Sequence, residues 1–140
     1  MDTGGSKGLK RDISRSEQLA AYERVLGIPS NWVVNEYGMT EMTSQFYDAT
    51  LLGGDPEVKI GPHWVRTRVM DPATGRDAAP GQPGILVHLD LANCDSVAAI
   101  ETEDLGVMRG EGFVLLGRSR GAEPRGCSIA ADALLSGGWT

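Results

Sequence analysis

Little in this chain is basic, sulfur-bearing or continuously apolar, and each scarcity excludes something. Of 140 residues, 13 are Lys or Arg against 19 Asp or Glu, a net charge of -6. That sign excludes nonspecific attraction to nucleic acid or to an anionic membrane surface. No apolar run nears the ~18 residues of a membrane-spanning helix, so no membrane span is expected. The opening "MDTGGSKGLKRD" is polar and lacks the apolar stretch of a secretory leader, which makes a cytoplasmic location the expectation. Two cysteines, Cys94 and Cys127, lie far apart and form no metal or CxxC spacing. In a reducing compartment both are expected as free thiols. His63 and His88 sit in strand patterns and are expected to be structural rather than catalytic.

What is abundant is glycine, 19 residues of it, often in pairs such as Gly4-Gly5, Gly53-Gly54 and Gly137-Gly138. Such pairs punctuate short elements. No strand or helix is expected before "TGGSKG". "SRSE" at Ser14–Glu17 is a capping box, and Leu19, Tyr22, Val25 and Leu26 then share one helical face. Gly27 and Pro29 stop the helix, which is expected over Arg15–Leu26. "NWVVN" reads as a short buried strand, and "EMTSQFY" as either a short helix or an irregular loop. "HWVRTRVMD" and "GILVHLDL" alternate as strands, joined by a long connection from Asp71 to Gly84 that opens with the turn "DPATG". A further strand is expected over Phe113–Leu116. "CSIAADALL" reads as a strand that turns helical near Ala131. A helix followed mostly by strands makes an α+β domain of about 140 residues, with short helices and a mostly antiparallel sheet or distorted barrel.

One stretch is unusual for a connecting loop. "NEYGMTEMTSQFYD", Asn35 to Asp48, puts hydroxyls, carboxylates and aromatic rings side by side where a strand is expected to end. Read alone, "YGMT" also suits a turn that caps a short helix, with Thr40 as the cap.

Taken in order, three motifs resemble those of the acyl-adenylate-forming enzymes: acyl-CoA synthetases, luciferases and peptide adenylation domains. "NEYGMTE" resembles their aromatic-Gly-x-Thr-Glu motif. "TEDLG", Thr102 to Gly106, resembles their Thr-Gly-Asp-Leu motif, with Glu103 standing where the family has Gly. "GRSRGAEPRGCSIAADALL" resembles their Gly-Arg motif, hinge and following strand. "TGGSKG" is similar in place to the Gly-Gly turn that lies against adenine. The branch it looks most like is that of the acyl-protein synthetases, whose best-known member activates fatty acids in bacterial luminescence.

The resemblance implies ATP and Mg²⁺ as cofactors and a carboxylic acid, fatty or aryl, as substrate. It implies transfer of the acyl group through acyl-AMP to a thiol. Thr40 would donate to the α-phosphate and Glu41 would hold Mg²⁺. Tyr37 would cover the adenine, with Gly4 and Gly5 against the base. Asp104 and Arg118 would hold the ribose, although an ordinary loop carboxylate and a surface ion pair also fit those two. Cys127, with Arg125 nearby, would serve as acyl carrier, unless it is simply a buried small side chain. Residues 1–118 would form the C-terminal part of an AMP-binding domain, and 119–140 a hinge-like segment and tail. The family's phosphate loop lies upstream of the Gly-Gly turn, so a missing N-terminal half or an acyl-acceptor protein is an expected partner. A noncatalytic nucleotide-binding or interaction module is the alternative.

Overall fold

A computed structural model describes residues 1–3 and 13–119. The expectations for Gly4, Gly5, Cys127 and the hinge-like segment after residue 119 fall outside the described residues. Ser14 caps the helix α1, Arg15–Leu26, as expected: its hydroxyl accepts from the Glu17 N–H, and Glu17 reaches back to the Ser14 N–H. Gly27 closes it in the left-handed region at φ 66°. No residue of α1 is buried, however. Val25 and Leu26 are 70% and 61% exposed, so the apolar stripe is not what docks the helix.

Eight strands follow one another in a single sheet: β1 Asp2–Thr3, β2 Asn35–Tyr37, β3 Phe46–Asp48, β4 Val58–Ile60, β5 Val65–Met70, β6 Gly84–Asp90, β7 Ala99–Arg109 and β8 Gly112–Arg118. Their spatial order is β1-β2-β3-β4-β8-β7-β6-β5. β1 and β2 are parallel, and every other neighbouring pair is antiparallel. β1 and β5 stand at the two edges, so the sheet is mixed and open, and the closed-barrel alternative does not apply.

Two expectations are corrected, and one left open between two alternatives is decided. A strand does precede "TGGSKG", because Asp2 and Thr3 lie beside Asn35 and Glu36. "NWVVN" is not a strand throughout: Ser30–Trp32 winds into a 3₁₀ turn directly after Pro29, and pairing begins only at Asn35. The unusual stretch therefore starts within a strand rather than after one. "EMTSQFY" is not helical: exposed and buried residues alternate without a break from Glu41 to Asp48, the period of an extended chain. Strands β4 and β7 carry no clean alternation that the sequence reading could use.

The long strands appear where the alternation put them. Val65 and Val69 of β5 point inward, as do Leu86, His88 and Asp90 of β6. Register places Thr67 opposite His88, and the Thr67 hydroxyl lies 2.9 Å from His88 Nδ1. The core is an aromatic knot of Tyr37, Phe46, His88 and Phe113, with ring centroids 4.8–5.8 Å apart. Gly106 is required where β7 crosses this core. A Cβ there would stand 2.6 Å from Leu86 Cδ2 and 2.9 Å from the Val114 carbonyl.

Burial holds the His88 pKa down to about 4, only partly opposed by the charge on Asp104. The folded protein thus binds this proton less readily than the unfolded chain, whose imidazole titrates near 6.5. Stability from this group is complete above about pH 6.5 and is lost as pH falls toward 4, on the order of 3 kcal/mol in all. Urea midpoints measured across that window should fall steeply for the wild type and much less for His88→Gln.

Candidate functional site

Register and burial bring three of the expected site residues to one place. Asp104 of β7 lies opposite Arg118 of β8. The Arg118 Nε–H donates to Asp104 Oδ1 at 3.1 Å, and Arg118 also lies 3.8 Å from Glu103. The other carboxylate oxygen, Oδ2, accepts the Tyr37 hydroxyl at 2.8 Å. Tyr37 and Asp104 are 67 positions apart in the chain. Asp104 is further oriented by its own N–H, which donates to the Thr102 hydroxyl at 3.0 Å, while that hydroxyl donates to the Leu86 carbonyl at 2.9 Å. Burial, and then the neighbouring Asp104 carboxylate, push the Tyr37 phenol pKa well above its ordinary value. The phenol therefore stays protonated and donates. A carboxylate offers about four acceptor positions, more than these two donors fill, and the Asp104 side chain is 12% exposed.

The Tyr37 ring itself is only 8% exposed and packs edge-on against Phe113. In this arrangement the ring belongs to the core, and its polar tip belongs to the site.

Thr40 and Glu41 are exposed and adjacent, the Thr40 hydroxyl donating to Glu41 Oε2 at 3.1 Å. Thr40 caps no helix, because residues 40–45 form a turn and an extended segment. The turn is closed by the Met42 N–H on the Met39 carbonyl at 3.1 Å, and Met42 is buried in the core cluster. No three His, Cys, Asp or Glu side chains gather to hold a metal ion among the described residues. Nor, among them, is any helix long and apolar enough to cross a membrane.

Several polar residues that shape the site were not anticipated. Asp90, at the end of β6, is fully buried and accepts the Ser44 N–H and hydroxyl, each at 2.9 Å, and the Ala92 N–H at 3.0 Å. Burial raises its pKa, but those hydrogen bonds outweigh burial and hold it below the ordinary carboxylate value. Asn93 stands three residues on and bonds to the backbone of Glu41 and Thr43. Trp64 donates its indole N–H to the Ser44 hydroxyl at 2.8 Å, beside a shallow depression of about 450 Å³ lined also by Tyr47, Ile60 and Pro62. The in-phase placement of Asp90 with Leu86 and His88 was the available signal: a carboxylate on an inward face needs partners. Cys94 is exposed.

Tyr37→Phe removes the donor that satisfies Asp104 Oδ2. The expected cost is about 1.5 kcal/mol or more of stability, the range for a hydrogen bond to a charged group. Urea unfolding at pH 7 measures it, and a loss under ~0.5 kcal/mol would mean the bond is not maintained in solution.

No family model matches the chain. The long-chain-fatty-acid–luciferin-component ligase of Aliivibrio fischeri is 27% identical over 79 residues, 56% of this chain and 20% of that protein. Among solved structures, ATP-bound MatB from Rhodopseudomonas palustris superposes with a TM-score of 0.51 at 25% identity, over 71% of this chain and 23% of that one. The O-succinylbenzoate coenzyme A synthetase MenE of Bacillus subtilis, in complex with AMP, gives 0.52 at 21% identity, over 71% and 24%. The chain thus spans about a fifth of the curated relative and about a quarter of these structures.

Proposed function

From the fold of the acyl-adenylate-forming enzymes, part of which this chain shares, we propose that Asp104, Arg118, Thr40 and Glu41 form the nucleotide-facing wall of an adenylating ligase, with the Tyr37 hydroxyl orienting Asp104 from behind. The observation that carries the reading is the junction at Asp104. Three motifs far apart in sequence meet there through two hydrogen bonds, 2.8 and 3.1 Å long. A carboxylate held in this way suits the paired hydroxyls of a ribose.

In the complete reaction an oxygen of a fatty or aryl carboxylate attacks the α-phosphorus of ATP. The new O–P bond gives acyl-AMP, and pyrophosphate leaves with the electron pair of the broken bond. The Thr40 hydroxyl donates to an α-phosphate oxygen. Glu41 is an exposed hard oxygen donor and would be the residue to hold a Mg²⁺ ion, which would supply positive charge beside the phosphates. Negative charge that gathers on the phosphoryl oxygens would be met by the Thr40 hydroxyl and by a cation held at Glu41. A thiolate, for which Cys127 is the candidate, then attacks the acyl carbonyl; the C–S bond forms, the acyl C–O bond to phosphate breaks, and AMP leaves. In the complete ligase, Cys127→Ser should remove a hydroxylamine-sensitive acyl label that Cys94→Ser leaves in place.

The direct test is calorimetric titration of the chain with AMP and Mg²⁺. Saturable binding is expected, weakened at least tenfold in Asp104→Ala and less in Asp104→Asn, with circular dichroism reporting that both variants fold. Absence of binding, or identical binding by all three, overturns the reading. Binding of nucleotide without acid-dependent ATP–pyrophosphate exchange in the complete protein would favour the noncatalytic module.

A further inference from the structure

The residues that present Thr40 and Glu41 lie between β2 and β3, outside the strand pairing of the sheet. Their anchoring comes from the connection between β6 and β7. Asn93, 7% exposed, accepts the Thr43 N–H at Oδ1 at 2.9 Å and also the Thr43 hydroxyl. Its Nδ2 donates to the Glu41 carbonyl at 2.8 Å and to the Val97 carbonyl at 3.2 Å. The partners fix the amide orientation, because a backbone N–H can only donate and a carbonyl can only accept. One side chain therefore grips the backbone at Glu41 and two residues later at Thr43. Asp90 continues the grip at Ser44. Asn93 is itself seated, its N–H donating to the Asp90 carbonyl at 3.2 Å.

We propose that Asn93 is a positioning residue of the nucleotide site: by holding the backbone of Glu41 and Thr43 it sets where the Thr40 hydroxyl and the Glu41 carboxylate point. The proposal rests on the nucleotide reading of Thr40 and Glu41, and adds a residue that touches no ligand. Its role is specific to the phosphate end. Asp104, Arg118 and Tyr37 are fixed by other contacts, so the nucleoside end does not depend on Asn93.

That asymmetry gives the test. Asn93→Ala removes both halves of the grip. Asn93→Asp keeps an acceptor for Thr43 but sets carboxylate oxygens against the Glu41 and Val97 carbonyls. In calorimetric titrations of the full chain with Mg²⁺, each variant should bind AMP about tenfold more weakly, the effect of one or two lost hydrogen bonds. Adenosine affinity should stay within about twofold, as expected when only the phosphate contacts are misplaced. Amide exchange at Thr43 should quicken at least tenfold while the His88 amide in β6 stays protected. Equal losses for AMP and adenosine, unchanged AMP affinity, or an unaltered Thr43 amide would each overturn the proposal. Failure of the underlying reading shows differently, as wild-type protein that binds no AMP whatever its Thr43 amide does.

Discussion

The hydrogen bond between Tyr37 and Asp104 constrains the whole sheet. Between β2 and β7 stand β3, β4 and β8. Four inter-strand gaps of ~4.8 Å would separate the two strands by about 19 Å on a flat sheet. A tyrosine and an aspartate cannot bridge that span at 2.8 Å. The sheet must therefore curl so that β2 faces β7, and the rings of Phe46, Phe113 and His88 fill the concave side. Curvature and site have one origin: the polar tip that ends the aromatic core also orients the carboxylate.

A second set of contacts works at the sheet's other end. Since α1 buries no apolar residue, its attachment is electrostatic. Arg15 donates to Asp2 at 2.6 Å and lies 3.5 Å from Asp48. Asp48, buried, also accepts the Asn35 N–H at 2.8 Å and faces Lys59 at 3.8 Å. Burial lowers the Lys59 pKa, partly countered by Asp48. Charges so buried are tolerable only together, because deleting one strands the rest in a poorly solvated place. The network joins α1, β1, β2, β3 and β4, and so holds in register the strand from which Tyr37 projects.

What the sequence disclosed follows the reach of each signal. The capping box and the terminal glycine act within four residues, and α1 was legible to its ends. The alternation in β5 and β6 is a property of single strands, and both were legible. The two-residue β1 and the short β4 have no internal pattern, and only their neighbours make them strands. The junction of Tyr37, Asp104 and Arg118 could be named by resemblance to a family, but the bonds among them could not, since they depend on a curvature that no local pattern encodes. Asn93 was missed for the same reason, and Asp90 was missed although its inward phase with Leu86 and His88 was visible. "LDLAN" reads as a strand end, and its importance lies in what Glu41, Thr43 and Ser44 bring to it from some 50 positions away.

The electrostatics of the concave face separate two kinds of contact. At the Asp104 end the Arg118 guanidinium meets two carboxylates, Asp104 at 3.1 Å and Glu103 at 3.8 Å, while His88 is held neutral and Tyr37 stays protonated. Carboxylate acceptors predominate there, which suits the uncharged hydroxyls of a sugar and would not attract a phosphate. At the other end Glu41 is an exposed carboxylate whose hydrogen-bonding neighbour is a neutral hydroxyl. An anionic phosphate brought beside it would be repelled, by about 1 kcal/mol at 4 Å even in fully screening water and by more in a closed site. The pair can therefore serve a nucleotide only if a cation arrives with the phosphate. On the proposed reading, Glu41 would be the residue that holds that cation, and the Thr40 hydroxyl, which here donates to Glu41, would be the neighbouring donor for a phosphate oxygen.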